Sequence, residues 1–316
     1  MTDRRIVIHA AFVLLLPVIV AAFGLSVWSA VALVLLGLLW RWAIVMLGWR
    51  TPHTGPELVL ETIPPSHYVE KVRWCMDRLG VDYEERQWAG TLGAFYRGRT
   101  VPRLHVRTGA VWSHLGNSAE ILRFLWGAHA ATSPQQASFL EPTEERLELE
   151  AAIDRCGRSL QVWVYYHLQD HIDLLRYVWG AQNPDVPWWQ RQSLRLLAPL
   201  QAALIRSAFQ TTEAHCRKSC ARIEELLDEV ETKLADGRES ILGGSGINYT
   251  DIAFAAIMGL ALRPAGYGGG AADTSWLEHD ALPENMRDDI ERWRHDFPRT
   301  MSFVTGLYER ERKGKR

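Results

Sequence analysis

Between Ile6 and Trp40 the chain carries no Asp, Glu, Lys or Arg: IVIHAAFVLLLPVIVAAFGLSVWSAVALVLLGLLW. No other feature restricts its environment so strongly, because a stretch apolar on every side must be buried in protein or in lipid. As one straight helix it would run roughly 50 Å, well beyond the ~30 Å of bilayer hydrocarbon. Phe23 to Ser26, FGLS, offers a break near its middle. The economical reading is a transmembrane helical hairpin within residues 1–50, with spans at Ile6–Phe23 and Val27–Leu47. Arg4 and Arg5 precede the first span, and Arg41 and Arg50 close the second, which favours both ends on the cytoplasmic face. Arg41 would snorkel from the end of its span. Two alternatives stay open: one span plus an interfacial helix, and a cleaved signal peptide with Arg4 and Arg5 as its basic region. The second leaves the later apolar run unexplained, and VAAFG is a poor cleavage site.

The whole chain has 316 residues, room for two modest domains besides such an anchor. Its net charge of -2 excludes a globally basic nucleic-acid binder, so no nucleic-acid partner is expected. Cys75, Cys156, Cys216 and Cys220 form no disulfide-rich pattern. Cys216 and Cys220 are one helical turn apart but have no CxxC or Cys/His ligand set beside them, so no metal is expected. Reduced thiols in a cytosolic setting fit best.

After the linker RTPHTGP, at Arg50–Pro56, the periodicity changes. ELVLET, at Glu57–Thr62, predicts a short strand. Ser66 then precedes an amphipathic helix whose Val69, Val72, Met76 and Leu79 share a face, with Glu70, Lys71, Arg73 and Asp77 elsewhere. Val81–Gln87 predicts a second strand, polar enough for a sheet edge. Thr100–Val106 and Ala110–Leu115 predict a hairpin, and Ser118–Gly127 a helix. The order βαβ–ββα describes a small α/β domain over residues 57–127. Residues 141–312 read as all-helical, opening at a Thr143 cap. Within this region Asn248 and Asp251 predict a variant capping box. Trp188–Phe209 predicts a basic helix kinked by Pro199. It has Trp189, Leu196, Leu197, Leu200 and Leu204 for packing or for a bilayer surface.

Four local signals in this order resemble the glutathione transferase superfamily: SHYVEKVRW, TVPRL, GNSAEILRFL and LGGSGINYTDIAFAA. The resemblance covers residues 57–310 and leaves the first 50 outside. It implies an α/β thioredoxin-like domain followed by an all-α helical domain, with glutathione as co-substrate and possible homodimers. Ser66 stands at the family's active position, and Tyr68 offers a second hydroxyl. In TVPRL the family carries a cis-proline, here Pro102. The preceding residue, Val101, exposes its backbone to the cysteinyl part of glutathione. Asn117 and Ser118 correspond to the residues that take the γ-glutamyl end. Asn117 departs from the usual Glu, Asp or Gln and brings no negative charge.

Ser66 has two readings. As an N-cap its oxygen would accept a backbone N–H. As a catalytic group it would donate to the glutathione thiolate at the positive end of the helix. A charge-assisted bond of about 1.5–3 kcal/mol would lower the thiol's pKa by roughly 1–2 units. Cys75 lies two to three turns inside the helix and reads as a core thiol, and His67 as solvent-facing, though able to touch the ligand. Arg97, Arg99 and Arg103 surround the entry loop and could meet the glycyl carboxylate. Trp163, Tyr165 and Tyr166 read as core, with some able to line an apolar pocket for the electrophile. The expectation is therefore a membrane-anchored, glutathione-conjugating enzyme acting on an apolar small-molecule electrophile. A non-catalytic binding module of the same fold is the alternative. Thiol exchange or peroxide reduction is disfavoured, since no cysteine stands at the active position.

Overall fold

The structure is a computed structural model. It describes residues 23–24, 26–50, 57–90, 101–108, 111–244 and 246–312. The expected first span, up to Phe23, therefore lies outside the described residues almost entirely. The second forms helix α1, Val27–Arg50. Its described large apolar side chains are exposed: Trp28, Leu35, Leu36, Leu38, Leu39, Trp40 and Trp42. Among the described residues no helix is long and apolar enough to cross a membrane, so the two-span hairpin rests on the sequence alone.

The chain divides into two compact units. One is Met1–Leu58 with Val106–Ser113; the other is Val59–His105 with His114–Arg316. Both the α/β segment and the helical segment fall mainly in the second unit. Its elements follow the expected order: β1 Glu57–Thr62, α2 His67–Leu79, β2 Glu84–Gln87, β3 Arg103–Thr108, β4 Val111–Gly116 and α3 Ser118–His129. The strands form one sheet in the order β2-β1-β3-β4, with polar β2 at the edge. β1 and β2 run parallel, Val59 opposite Glu84 and Thr62 opposite Gln87, as a βαβ unit requires.

The helical segment comprises a short α4 (Pro134–Ala137), α5 (Glu144–Leu168), α6 (Ile172–Val178), α7 (Trp188–Phe209) and α8 (Glu213–Lys233). It continues through α9 (Tyr249–Leu262), α10 (Glu284–Asp296) and α11 (Pro298–Glu311). α9 is its centre. Ile252 through Met258 are wholly inaccessible, and the helix packs against α2, α5 and α11. Its capping box forms as expected. Asn248 caps Thr250, and Asp251 accepts from the Asn248 backbone N–H at 2.8 Å. Asp251 also accepts from Ser240 at 2.7 Å and from the Ile241 N–H at 2.8 Å, which ties the preceding loop to the helix start.

Both faces of α2 are covered. Its apolar face is buried as the spacing predicts, but the polar face is buried too. Lys71 reaches Glu150 at 2.7 Å, Arg73 reaches Glu85 at 2.7 Å, and Glu70 meets Arg312 at 2.7 Å. The helix lies between sheet and helical segment, so its charges are matched by counter-charges rather than by water.

Candidate active site

α2 begins immediately after the chain leaves the central strand β1, which points the helix N-terminus at the C-terminal end of that strand. Ser66 holds the N-cap position with extended φ/ψ of -70° and 122°, yet its side chain makes no capping hydrogen bond. The first intrahelical bond comes from its backbone, Ser66 O accepting from the Glu70 N–H at 2.9 Å. The hydroxyl is thus uncommitted at a helix end whose first N–H groups have no intrahelical acceptor. It is half-buried and lines a cavity of about 540 Å³.

The cavity is mostly apolar. Val101, which precedes the cis Val101–Pro102 bond, lines it beside Ser66. The far wall comes from the helical segment: Tyr165 and Leu168 of α5, Leu204 and Phe209 of α7, and Met286 of α10. Tyr165 and Phe209 pack with ring centroids 5.0 Å apart. α7 thus contributes one face to the cavity. Trp188, Leu196 and Leu200 lie exposed on another, so the apolar residues of α7 are only partly absorbed by packing. Pro199 sits inside α7, which runs through it as one helix. A larger recess of about 1110 Å³ beside Arg78 and Arg146 contains none of the expected site residues.

His67 corrects the solvent-facing expectation. It is 2% exposed, lines the cavity, and its Nε2 has no hydrogen-bond partner. Burial holds its pKa down to about 3, against a backbone contact at Gly157 that acts the other way. A neutral imidazole that resists protonation is a poor general base at neutral pH.

Tyr68 packs on the first turn of α2, the reading its aromatic ring favours over a catalytic hydroxyl. Its hydroxyl turns away from the cavity and donates to the Asp154 carbonyl of α5 at 3.0 Å. It presses on Gly157, where any Cβ would come within 2.8 Å of the Tyr68 oxygen and 3.0 Å of Ile257. Burial, then the charge of Asp154, pushes the phenol pKa well up. Tyr68 is a packing residue between α2 and α5, and of the two expected hydroxyls only Ser66 lines the cavity.

Asn117 and Ser118 lie apart from the cavity. Asn117, not Ser118, caps α3; its side chain accepts from the Ala119 N–H at 3.1 Å. Asn117 adopts φ 76° and ψ 130°, a conformation costly for a residue with a Cβ. Ser118 follows as the first helical residue and is 3% exposed. Neither lines the cavity. Arg97 and Arg99 lie outside the described residues, and Arg103 opens β3. Cys75 is wholly buried, and burial pushes its thiol up to about 12, as suits a core residue. Trp163 is core, donating to Asp289 at 2.8 Å. Tyr166 faces His167, with ring centroids 5.3 Å apart.

A second polarised cluster is formed by α5, α8 and α10. His167 Nε2 stands 3.3 Å from Asp289. The hydrogen bond from Cys220, and then the neighbouring His167, draw the Cys216 thiol down to about 6. Spacing alone marked Cys216 and Cys220 as neighbours; their link to His167 was not legible. Among the described residues no group of His, Cys, Asp and Glu could hold a metal ion.

This geometry defines a class. A thioredoxin-like sheet with a cis-proline beside the first helix is joined to a helical bundle built on one buried, capped helix. This is the fold of the glutathione transferases. A glutathione S-transferase of Methylobacterium radiotolerans, in complex with glutathione sulfonate, superimposes with a TM-score of 0.50 at 16% identity. The match covers 82% of this chain and 96% of that one. A glutathione S-transferase of Methylobacillus flagellatus with glutathione bound gives 0.49 at 14% identity, covering 80% and 96%. No protein-family model and no curated protein matches the sequence. At such identities the likeness establishes the fold, and the first of these structures carries that argument.

Proposed function

We propose that this protein binds glutathione at the N-terminus of α2, holds its sulfur as thiolate through Ser66, and adds it to an electrophile seated in the adjoining cavity. One observation carries the reading. Ser66, at the helix end, and Val101, ahead of the cis Val101–Pro102 bond, both line one apolar cavity, and the Ser66 hydroxyl has no capping bond to keep. The glutathione sulfonate in the M. radiotolerans protein is consistent with it. Attack of the thiolate on an electrophilic carbon forms the C–S bond, and the displaced electron pair leaves with the leaving group or is protonated. The helix dipole and Ser66 lower the barrier by stabilising the anion, and the cavity supplies proximity. Binding of glutathione to the full chain, then conjugation by wild type and Ser66→Ala, tests this. Absence of glutathione binding would sink the enzymatic reading.

A non-catalytic module is the second reading. It is favoured by Asn117, which is uncharged and whose side-chain oxygen already caps α3. Activity with no electrophile, despite tight glutathione binding, would select it.

We further propose that the N-terminal residues attach the protein to the bilayer with the folded region on the cytoplasmic face. The exposed apolar surface of α1 supports this, as does the run from Ile6 to Phe23. The exposed Trp188, Leu196 and Leu200 of α7, beside Arg191 and Arg195, supply a second surface for lipid. A chain lacking residues 1–50 should leave the membrane fraction; if it stays there in full, the N-terminal residues are not the anchor.

A further inference from the structure

Among the described residues that line the apolar cavity, Arg263 is the single charged one. It follows the last residue of α9 and occupies the left-handed region, φ 56° and ψ 51°, where glycine or asparagine is the locally favoured choice. Backbone preference therefore does not account for an arginine there. Its guanidinium lies over the Trp276 ring at 3.9 Å from the centroid, and Trp276 in turn stacks on Tyr267 at 4.1 Å. The stack fixes the direction of the side chain. It does not neutralise the charge. Arg263 Nε is buried without a hydrogen-bond partner, and Glu278 acts on the group only through space, with no ion pair formed. Burial pulls its pKa down to about 10, as befits a cation short of an anion.

Other buried arginines in this fold are treated differently. Arg73 and Arg312 each meet two carboxylates at hydrogen-bond distance. Arg263 instead lines a cavity whose other described lining residues are uncharged, the neutral His67 included. A half-buried guanidinium with no carboxylate bonded to it is complementary to an oxyanion arriving from outside. The remaining lining would receive an apolar body.

We propose that the cavity selects amphipathic organic acids: an apolar body against α5 and α7, with its carboxylate on Arg263. This names the electrophile's class and rests on the conjugation reading only for the word electrophile; the acid preference itself is a property of the cavity.

The test is equilibrium binding of 4-phenylbutyrate and of 4-phenylbutan-1-ol to the full chain without glutathione. Wild type, Arg263→Lys and Arg263→Gln are compared, followed by tryptophan fluorescence from Trp276 and Trp179. Wild type should bind the acid at least tenfold tighter than the alcohol. Arg263→Lys should keep most of that preference and Arg263→Gln should abolish it, with alcohol binding unchanged as the sign of an intact cavity. Equal affinities in wild type, or a preference that survives in Arg263→Gln, overturn the proposal. So does a tenfold loss of glutathione affinity in Arg263→Gln with the acid preference untouched, which would assign the arginine to glutathione's own carboxylate. Acid preference in a chain that binds no glutathione would uphold this assignment while sinking the conjugation reading.

Discussion

Ser66, His67 and Tyr68 are three successive residues with three different fates. Successive residues on a helix point about 100° apart, at 3.6 residues per turn. Ser66 therefore faces the cavity from the cap, His67 enters its wall, and Tyr68 turns to α5. The sequence singled out the first and third for their hydroxyls; it could not say which side of the first turn would be covered by α5. For His67 the burial has a measurable consequence. Its folded pKa, near 3, lies below the unfolded 6.5. Its contribution to stability is thus present above pH 6.5 and is lost as pH falls toward 3. The slope approaches about 1.4 kcal/mol per pH unit. Urea unfolding at pH 6.5 and pH 5 should show His67→Gln losing about 2 kcal/mol less than wild type over that interval. An equal loss would mean that the imidazole is already charged in the folded protein.

The same sequence pattern gives two elements opposite settings. α1 and α9 are both apolar on all sides. α9 is fully enclosed by α2, α5 and α11, whereas the described apolar side chains of α1 lie exposed. What distinguishes them in sequence is the start. α9 opens with Asn248 and Asp251, whose side chains have backbone and hydroxyl partners waiting in the preceding loop. Asp251 accepts all three of these bonds, so Asp251→Ala should cost about 3 kcal/mol or more, beyond the ~1 kcal/mol of an ordinary cap. A change in thermal unfolding equivalent to under 1 kcal/mol would show that the loop finds other partners. The capping box and the succession of strands and helices along the chain were legible because each depends on residues close in sequence. The course of α7 was half legible. Its apolar residues are plain to see, but which of them would line the cavity and which would stay exposed depends on α5 and α10.

Across the molecule, α2 is held to the helical segment by charges that no local pattern announces. Glu70 and Arg312 are 242 positions apart. Both side chains are wholly inaccessible, and Arg73 and Asp77 complete the set. Lys71 and Glu150 make a second such link, extended by Arg123. On the sequence these residues look like the solvated face of an amphipathic helix, because spacing reports a polar face but not what covers it. Removing one partner leaves a buried charge uncompensated. Glu70→Ala should therefore destabilise by about 3–5 kcal/mol, whereas an exposed pair such as Arg217–Glu213 should change stability by no more than about 0.5 kcal/mol. Denaturant midpoints of the two variants check this; equal shifts would contradict the buried network. The position of α2, and with it the Ser66 hydroxyl at the cavity wall, depends on these links.

Whether that hydroxyl acts on a thiolate is decided most directly by titrating glutathione bound to the full chain and following thiolate absorbance in the ultraviolet. The account predicts that the bound thiol ionises roughly 1–2 pH units below free glutathione and that Ser66→Ala returns it most of the way while glutathione still binds. A bound thiol that titrates like the free one, or a lowered value that Ser66→Ala leaves in place, would contradict it.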